Sequence, residues 1–127
     1  YYKYKAGDQF TEGGKPVNGK RDICDIYAIM YETSESVPTL DGTNAFTSPN
    51  LISTARINNA KETNEWTYFK LPFTTLPGKF IDKEKLMDGK YNIAIVFTSS
   101  LEGDHFNGAI GSTLLIDEAE LIYHSED

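Results

Sequence analysis

Trp66 and Tyr68 stand two residues apart in the stretch Glu65-Trp66-Thr67-Tyr68-Phe69-Lys70-Leu71-Pro72-Phe73. Side chains alternate along an extended chain, so these two rings share one face while Phe69, Leu71 and Phe73 share the other. A pair of exposed rings offers flat apolar area for the C–H face of a sugar, with polar neighbours to hold its hydroxyls. The same rings would serve equally well as core, since aromatics bury large areas. A second group lies in the glycine-rich stretch from Ser99 to Thr113, where Glu102, Asp104, His105 and Asn107 are interleaved with Gly103, Gly108 and Gly111. Glycines allow backbone amides to approach a ligand closely, and such loops commonly carry function. Asp104, His105 and Asn107 would then hydrogen-bond a glycan, or act on one as acid and base. Gly103-Asp104 and Asn107-Gly108 also read as ordinary turn dipeptides, with His105 merely solvated.

Other chemistries find little support. Cys24 lies among apolar residues without a basic neighbour, where a cysteine behaves as a small inert hydrophobe rather than a nucleophile. It is the sole cysteine, so no disulfide forms within the chain and the redox compartment stays open. There is no phosphate-binding loop and no zinc-ligand spacing. A glycosidase carboxylate pair is defined by a separation in space, which a sequence does not give. His124, near the end of the chain, reads as exposed.

The elements that would position these groups are strands. Tyr2-Lys3-Tyr4-Lys5 alternates with its lysines outward, the pattern of a half-exposed strand at or near a sheet edge. Residues 6–20 collect Gly7, Gly13, Gly14, Pro16 and Gly19 and read as a long loop. Asp22–Glu32 is apolar on both faces and reads as a central strand. Residues 33–53 read as a second long loop, with Leu40 and Phe46 as anchors. Residues 54–58 and 65–73 read as strands, the latter limited by Pro72, which lacks a ladder donor. Asp82–Met87 suits one helical turn. Tyr91–Ser99 is apolar on both faces and predicts a strand in the middle of a sheet. Thr113–Tyr123 changes phase, with Leu114 and Ile116 even but Ala119, Leu121 and Tyr123 odd. Keeping both sets inward requires one extra residue, a β-bulge at Asp117-Glu118.

The chain has 127 residues, enough for one domain with a real core. Residues 1–127 are read as a single all-β domain, a jelly-roll-like antiparallel β-sandwich. Fewer strands stand out than the roughly eight of a full jelly roll, and the chain opens inside a strand, without an initiator methionine. The expectation is that strands, and with them any targeting signal, are missing on the N-terminal side, or that strands are hidden in the long loops. A net charge of −7 argues against nucleic acid and anionic membrane surfaces as partners. No apolar run is long enough for a membrane helix.

Read in order, a larger set of residues resembles the putative carbohydrate metabolism domain of surface and secreted proteins of Bacteroides-type bacteria. The set runs from Tyr2-Lys3-Tyr4 and Gly7 through Asp25–Tyr31, Trp66, Phe69 and Leu71-Pro72-Phe73 to Tyr91–Ser100. It continues through Gly103-Asp104, Phe106, Gly108-Ala109, Gly111–Leu114, Ile116-Asp117-Glu118, Glu120-Leu121 and Tyr123. The match is to the C-terminal part of that domain. The resemblance implies a jelly roll similar to carbohydrate-binding modules, an extracellular or outer-membrane-surface location, and glycan as partner. It also places Asp117 where such folds hold a structural calcium, an ion that takes six to eight oxygens; a turn-bonding or solvated Asp117-Glu118 pair is the other reading. No other cofactor is expected. The resulting function is a non-catalytic glycan-binding or accessory domain. The alternatives are an interaction module that completes its sheets with another segment or chain, and a glycoside hydrolase acting through Glu102, Asp104 or Glu118.

Overall fold

The computed structural model describes residues 1–34, 46, 48–58, 60–103 and 106–122. Leu40, Asp104, His105, Tyr123 and His124 therefore lie outside the described residues. The described chain is all-β apart from one short helix, and every strand pairing is antiparallel.

Strand β1, Tyr2–Lys5, pairs with β9, Thr113–Ile116, with Tyr2 opposite Ile116 and Tyr4 opposite Leu114. The alternation acts as the sequence predicts: Tyr2 and Tyr4 are buried, and Lys3 and Lys5 take the other face. β2, Phe10–Glu12, and β3, Lys15–Val17, form a hairpin that also pairs with β8, Gly108–Ala109. This hairpin occupies part of the expected 6–20 loop. Gly13 and Gly14 form its turn at φ 57° and 85°, the left-handed pair that a two-residue hairpin turn demands. Pro16 is tolerated because β3 ends the strand order.

The largest sheet runs β6-β5-β4-β7, where β4 is Asp25–Glu32, β5 Leu51–Arg56, β6 Thr74–Thr75 and β7 Tyr91–Thr98. β4 is central, as its two apolar faces require. Ile26 faces a cluster with Tyr2, Tyr4, Ala6, Cys24 and Ala60, against which Phe69, Leu71, Leu114 and Ile116 pack. Tyr27, Ile29 and Tyr31 face a second cluster with Leu51, closed by Leu76, Ala94 and Val96. β4 is thus the wall between two cores of an antiparallel β-sandwich. Complete burial of a side chain such as Ile29 stabilises the fold by about 1.5–3 kcal/mol. On the second face, the buried Asp25 carboxylate receives two hydrogen bonds from Arg56, at 2.6 and 3.2 Å. The Arg56 guanidinium also lies 4.4 Å from the Phe46 ring centre, giving Phe46 an anchoring contact.

Four expectations change. β7 is at the end of its sheet rather than the middle: Ala94 and Val96 find a core, but Ile95 and Phe97 on the other face remain exposed. Residues 65–73 form an extended segment joined to β1 by one bridge, Thr67 to Tyr2, rather than a regular strand. Its alternation persists with Phe69 inward, whereas Phe73 beyond Pro72 is exposed. Strand β5 begins at Leu51, inside the expected 33–53 loop, and ends at Arg56. Finally, β9 ends at Ile116, so the phase change is not a bulge within a continuing strand. It is absorbed by Glu118 at φ 53°, where the chain leaves the sheet. A register shift occurs instead between Met30 and Tyr31, opposite β5. The expected helical turn is α1, Lys83–Met87, whose Asp82 N-cap accepts from the Glu84 and Lys85 amides.

Candidate functional site

The site is built outward from β1. Because Tyr2 and Tyr4 face the core, Tyr1 and Lys3 face away from it, and Asp117 and Leu115 continue the same outward row across the β1–β9 pair. Asp117 is fixed beside Tyr1 through its backbone, its amide donating to the Tyr1 carbonyl at 3.0 Å. On the other flank, the Thr67 amide and carbonyl exchange hydrogen bonds with Tyr2 at 2.9 and 2.8 Å. That bridge sends Thr67 inward, so Trp66 and Tyr68 emerge on the outward face. Tyr2 and Phe69 pack edge to face beneath them, 6.0 Å between ring centres, and pin the extended segment.

The outward surface is aromatic. Trp66 is 44% exposed and Tyr68 65% exposed. The Tyr1 ring meets Tyr68 edge to face at 5.7 Å, and the Lys3 ammonium sits 4.8 Å from the Trp66 ring centre. These contacts hold open rings in fixed positions, a condition for stacking without a large ordering cost. Asp117 supplies an exposed acceptor at the margin, and Lys3 a donor. Three residues singled out in the sequence thus lie along the outward face of β1, Tyr68 and Asp117 beside Tyr1 and Trp66 beside Lys3.

Asn107 belongs to another place. It lines a shallow depression of about 230 Å³ with Thr11, Ser100, Phe106, Ile110 and neighbouring glycines. Its amide oxygen accepts from the Gly13 amide at 3.0 Å, tying the loop to the β2–β3 turn. Phe106 is almost fully exposed beside the depression, with φ 60°. Among the described residues no group of three or more His, Cys, Asp or Glu side chains gathers to hold a metal.

Below this loop is a buried acceptor that the sequence reading does not anticipate. Asp22 Oδ2 accepts from the Ser100 hydroxyl at 2.5 Å, the Ser112 hydroxyl at 2.6 Å and the Ala109 amide at 3.1 Å. Its Oδ1 accepts from the Ile23 amide at 3.0 Å. Ser112 in turn accepts from the Gly7 amide at 3.0 Å. With its donors all on the protein, Asp22 is a brace for the glycine-rich loop. Its signal in the sequence is faint: an acid directly before an apolar strand and two serines far away in the chain.

Cys24 is buried at the same end of the core, and burial pushes its thiol up to about 11, which removes it as a nucleophile near neutrality. Burial likewise pushes the Tyr4 phenol up to about 12, the nearby Asp22 adding to the effect; its hydroxyl donates to the Ser99 carbonyl at 2.7 Å.

Residues 1–122 match the family described as the putative carbohydrate metabolism domain. The chain belongs to this family. Among solved structures, one similar to this putative carbohydrate metabolism domain is a putative glycoside hydrolase from Bacteroides thetaiotaomicron. The two share 88% identity over 99% of this chain, with a TM-score of 0.96. A putative glycoside hydrolase from Bacteroides vulgatus shares 47% identity over 96% of this chain, with a TM-score of 0.88. This chain spans 37% of the first protein's length and 49% of the second's. No curated protein matches it. The match begins at the first residue and includes both the aromatic surface and the glycine-rich loop, so both lie within the family's shared region. No helix among the described residues is long and apolar enough to cross a membrane.

Proposed function

We propose that this chain is a non-catalytic glycan-binding or accessory domain of a secreted or cell-surface bacterial protein, and that Tyr1, Trp66 and Tyr68 form its sugar platform. One observation carries the reading: three aromatic rings are exposed together on the outward face of β1, braced by Lys3 and by each other. Rings so placed lie outside both core clusters and present apolar faces of the size a pyranose covers. Asp117 and Lys3 provide hydrogen bonds at the rim, while Asn107 and the depression under the glycine-rich loop, with Asp104 and His105 of the same stretch, form an accessory contact. Membership in a carbohydrate-related family supports glycan as the ligand class. Hydrolysis, suggested by the names of the two relatives, is the competing reading; Asp22 is unsuited to it because both its oxygens are held by structural donors.

The test is calorimetric titration of the protein against plant, host and microbial polysaccharides. Binding is expected to fall about tenfold or more in Trp66→Ala and Tyr68→Ala, the loss of one stacking contact of about 1.4 kcal/mol. Stability should change by no more than about 1 kcal/mol, the worth of one exposed ring contact, since both rings lie outside the core clusters. Absence of binding to all three polysaccharide classes overturns the reading. Turnover of any of them, lost on replacing Glu102, Asp104 or Glu118, replaces it with a glycoside hydrolase.

The outer edge of β7 favours a second reading, an interaction module whose sheet is completed by another segment or chain.

A further inference from the structure

β4 pairs with one edge of β7 along all eight residues, Tyr91–Thr98, and among the described residues the opposite edge meets no strand. Edges left to water normally carry a device against stray pairing: lysine, proline, a bulge, or very short length. Most other end strands among the described residues have one, β8 being two residues long, while β9, Thr113–Ile116, is uncharged but only half the length of β7. β1 carries Lys3 and Lys5, β3 is three residues with Pro16, and β6 is two residues long. β7, with the sequence Tyr-Asn-Ile-Ala-Ile-Val-Phe-Thr, has no charge, proline or glycine, and its register with β4 is unbroken. It is an unprotected edge.

The face beside that edge is apolar too. Ile95 is 49% exposed and Phe97 39%, and Ile93 with its cross-strand neighbour Met30 is only half-buried. Open edge and open apolar face adjoin on one strand, which is what an added strand with a covering layer requires.

We propose, on the reading of this chain as an interaction module, that the outer edge of β7 receives a strand from polypeptide of the same protein outside residues 1–127. That polypeptide also covers Ile93, Ile95 and Phe97. Its chemistry follows from the surface: an uncharged segment with apolar residues at every second position. Length supports an occupant from the same protein. The two relatives with this fold devote only 37% and 49% of their chains to the part shared here, and so have polypeptide to supply it. A second copy fits less well. Edge-to-edge pairing of two copies would extend the sheet while leaving Ile95 and Phe97 uncovered, and would bring together two chains each of net charge −7.

Amide hydrogen exchange tests this without any glycan. Along a strand, alternate amides point to opposite edges, so in residues 1–127 every second β7 amide should be protected by β4 and the rest should exchange fast. In the intact Bacteroides thetaiotaomicron relative the equivalent outward amides should be slowed at least about 100-fold. Fast outward amides in both proteins overturn the proposal and the interaction reading together. Protection already present in residues 1–127, accompanied by a dimer mass in light scattering, overturns the proposal in favour of a second copy and leaves the interaction reading standing. Protection in residues 1–127 as a monomer overturns both, since the edge would then be satisfied within the chain.

Discussion

Asp22 is 5% exposed, and its two oxygens receive four protein donors: the hydroxyls of Ser100 and Ser112 and the amides of Ala109 and Ile23. The energetic weight of such a residue lies in what its removal strands. In Asp22→Ala two backbone amides lose their acceptor in a place water does not readily reach, while the two hydroxyls retain some freedom to turn elsewhere. At about 1–3 kcal/mol per stranded buried donor, the expected loss is about 3–4 kcal/mol, read as a lower urea midpoint at unchanged slope. Asp22→Asn keeps the shape but turns one acceptor into a donor facing a donor, so a smaller loss of about 1–2 kcal/mol is expected. A near-neutral Asp22→Ala would show that the loop is held by its backbone pairing alone. Trp66 and Tyr68 contrast with Asp22, because their contacts are on the surface and their removal should be felt more by ligand than by stability.

At the scale of elements, the glycine-rich loop is held by close backbone approach as well as by Asp22. A Cβ on Gly7 would stand 2.1 Å from the Ile110 carbonyl oxygen and 2.9 Å from its carbon, whereas one on Gly103 would meet, among the described residues, the Ser100 Cβ at 3.6 Å. Backbone does not yield as a side chain tip does. Gly7→Ala is therefore expected to cost about 2–3 kcal/mol in a denaturant titration, with Gly103→Ala within about 0.5 kcal/mol of the parent; equal effects would contradict the close packing of β1 against that loop. These placements also show what the sequence made legible. Tyr2 to Lys5, β4 and the inward turn of Phe69 follow from alternation alone, since each has one consistent assignment of faces. The β2–β3 hairpin does not, because its three-residue strands contain lysine and proline and only the Gly13-Gly14 turn marks it. β7 was legible as a strand but not as an edge, since burial on both faces is what its composition predicts and only the fold shows which face lacks a neighbour. Trp66 and Tyr68 remained divided between core and surface until the Thr67 bridge fixed which face was outward. Asp22 was hidden for a different reason: its partners are 78 to 90 residues away in the chain, and no local period encodes them.

For the molecule as a whole, the buried end of the core ties stability to an alkaline pH window. Cys24 and Tyr4 share a cluster with Tyr2, and burial raises all three above their ordinary values, Cys24 from 9.0 to about 11 and Tyr4 from 10.0 to about 12. For each, the fold prefers the neutral form. The unfolded chain releases the proton first as pH rises, so the stability linked to each group is intact below the unfolded value and disappears as pH climbs through the folded one. Stability should therefore begin to fall near pH 9, where unfolded Cys24 ionises, and continue to about pH 12, where folded Tyr4 does. The check is a urea midpoint measured at intervals across that range for the parent, Cys24→Ala and Tyr4→Phe. Each variant starts less stable, the first losing packing and the second the hydrogen bond to the Ser99 carbonyl, but each should show a shallower decline: Cys24→Ala between pH 9 and 11, and Tyr4→Phe between pH 10 and 12. Parallel curves for all three proteins would mean that surface charge, not this cluster, governs alkaline unfolding.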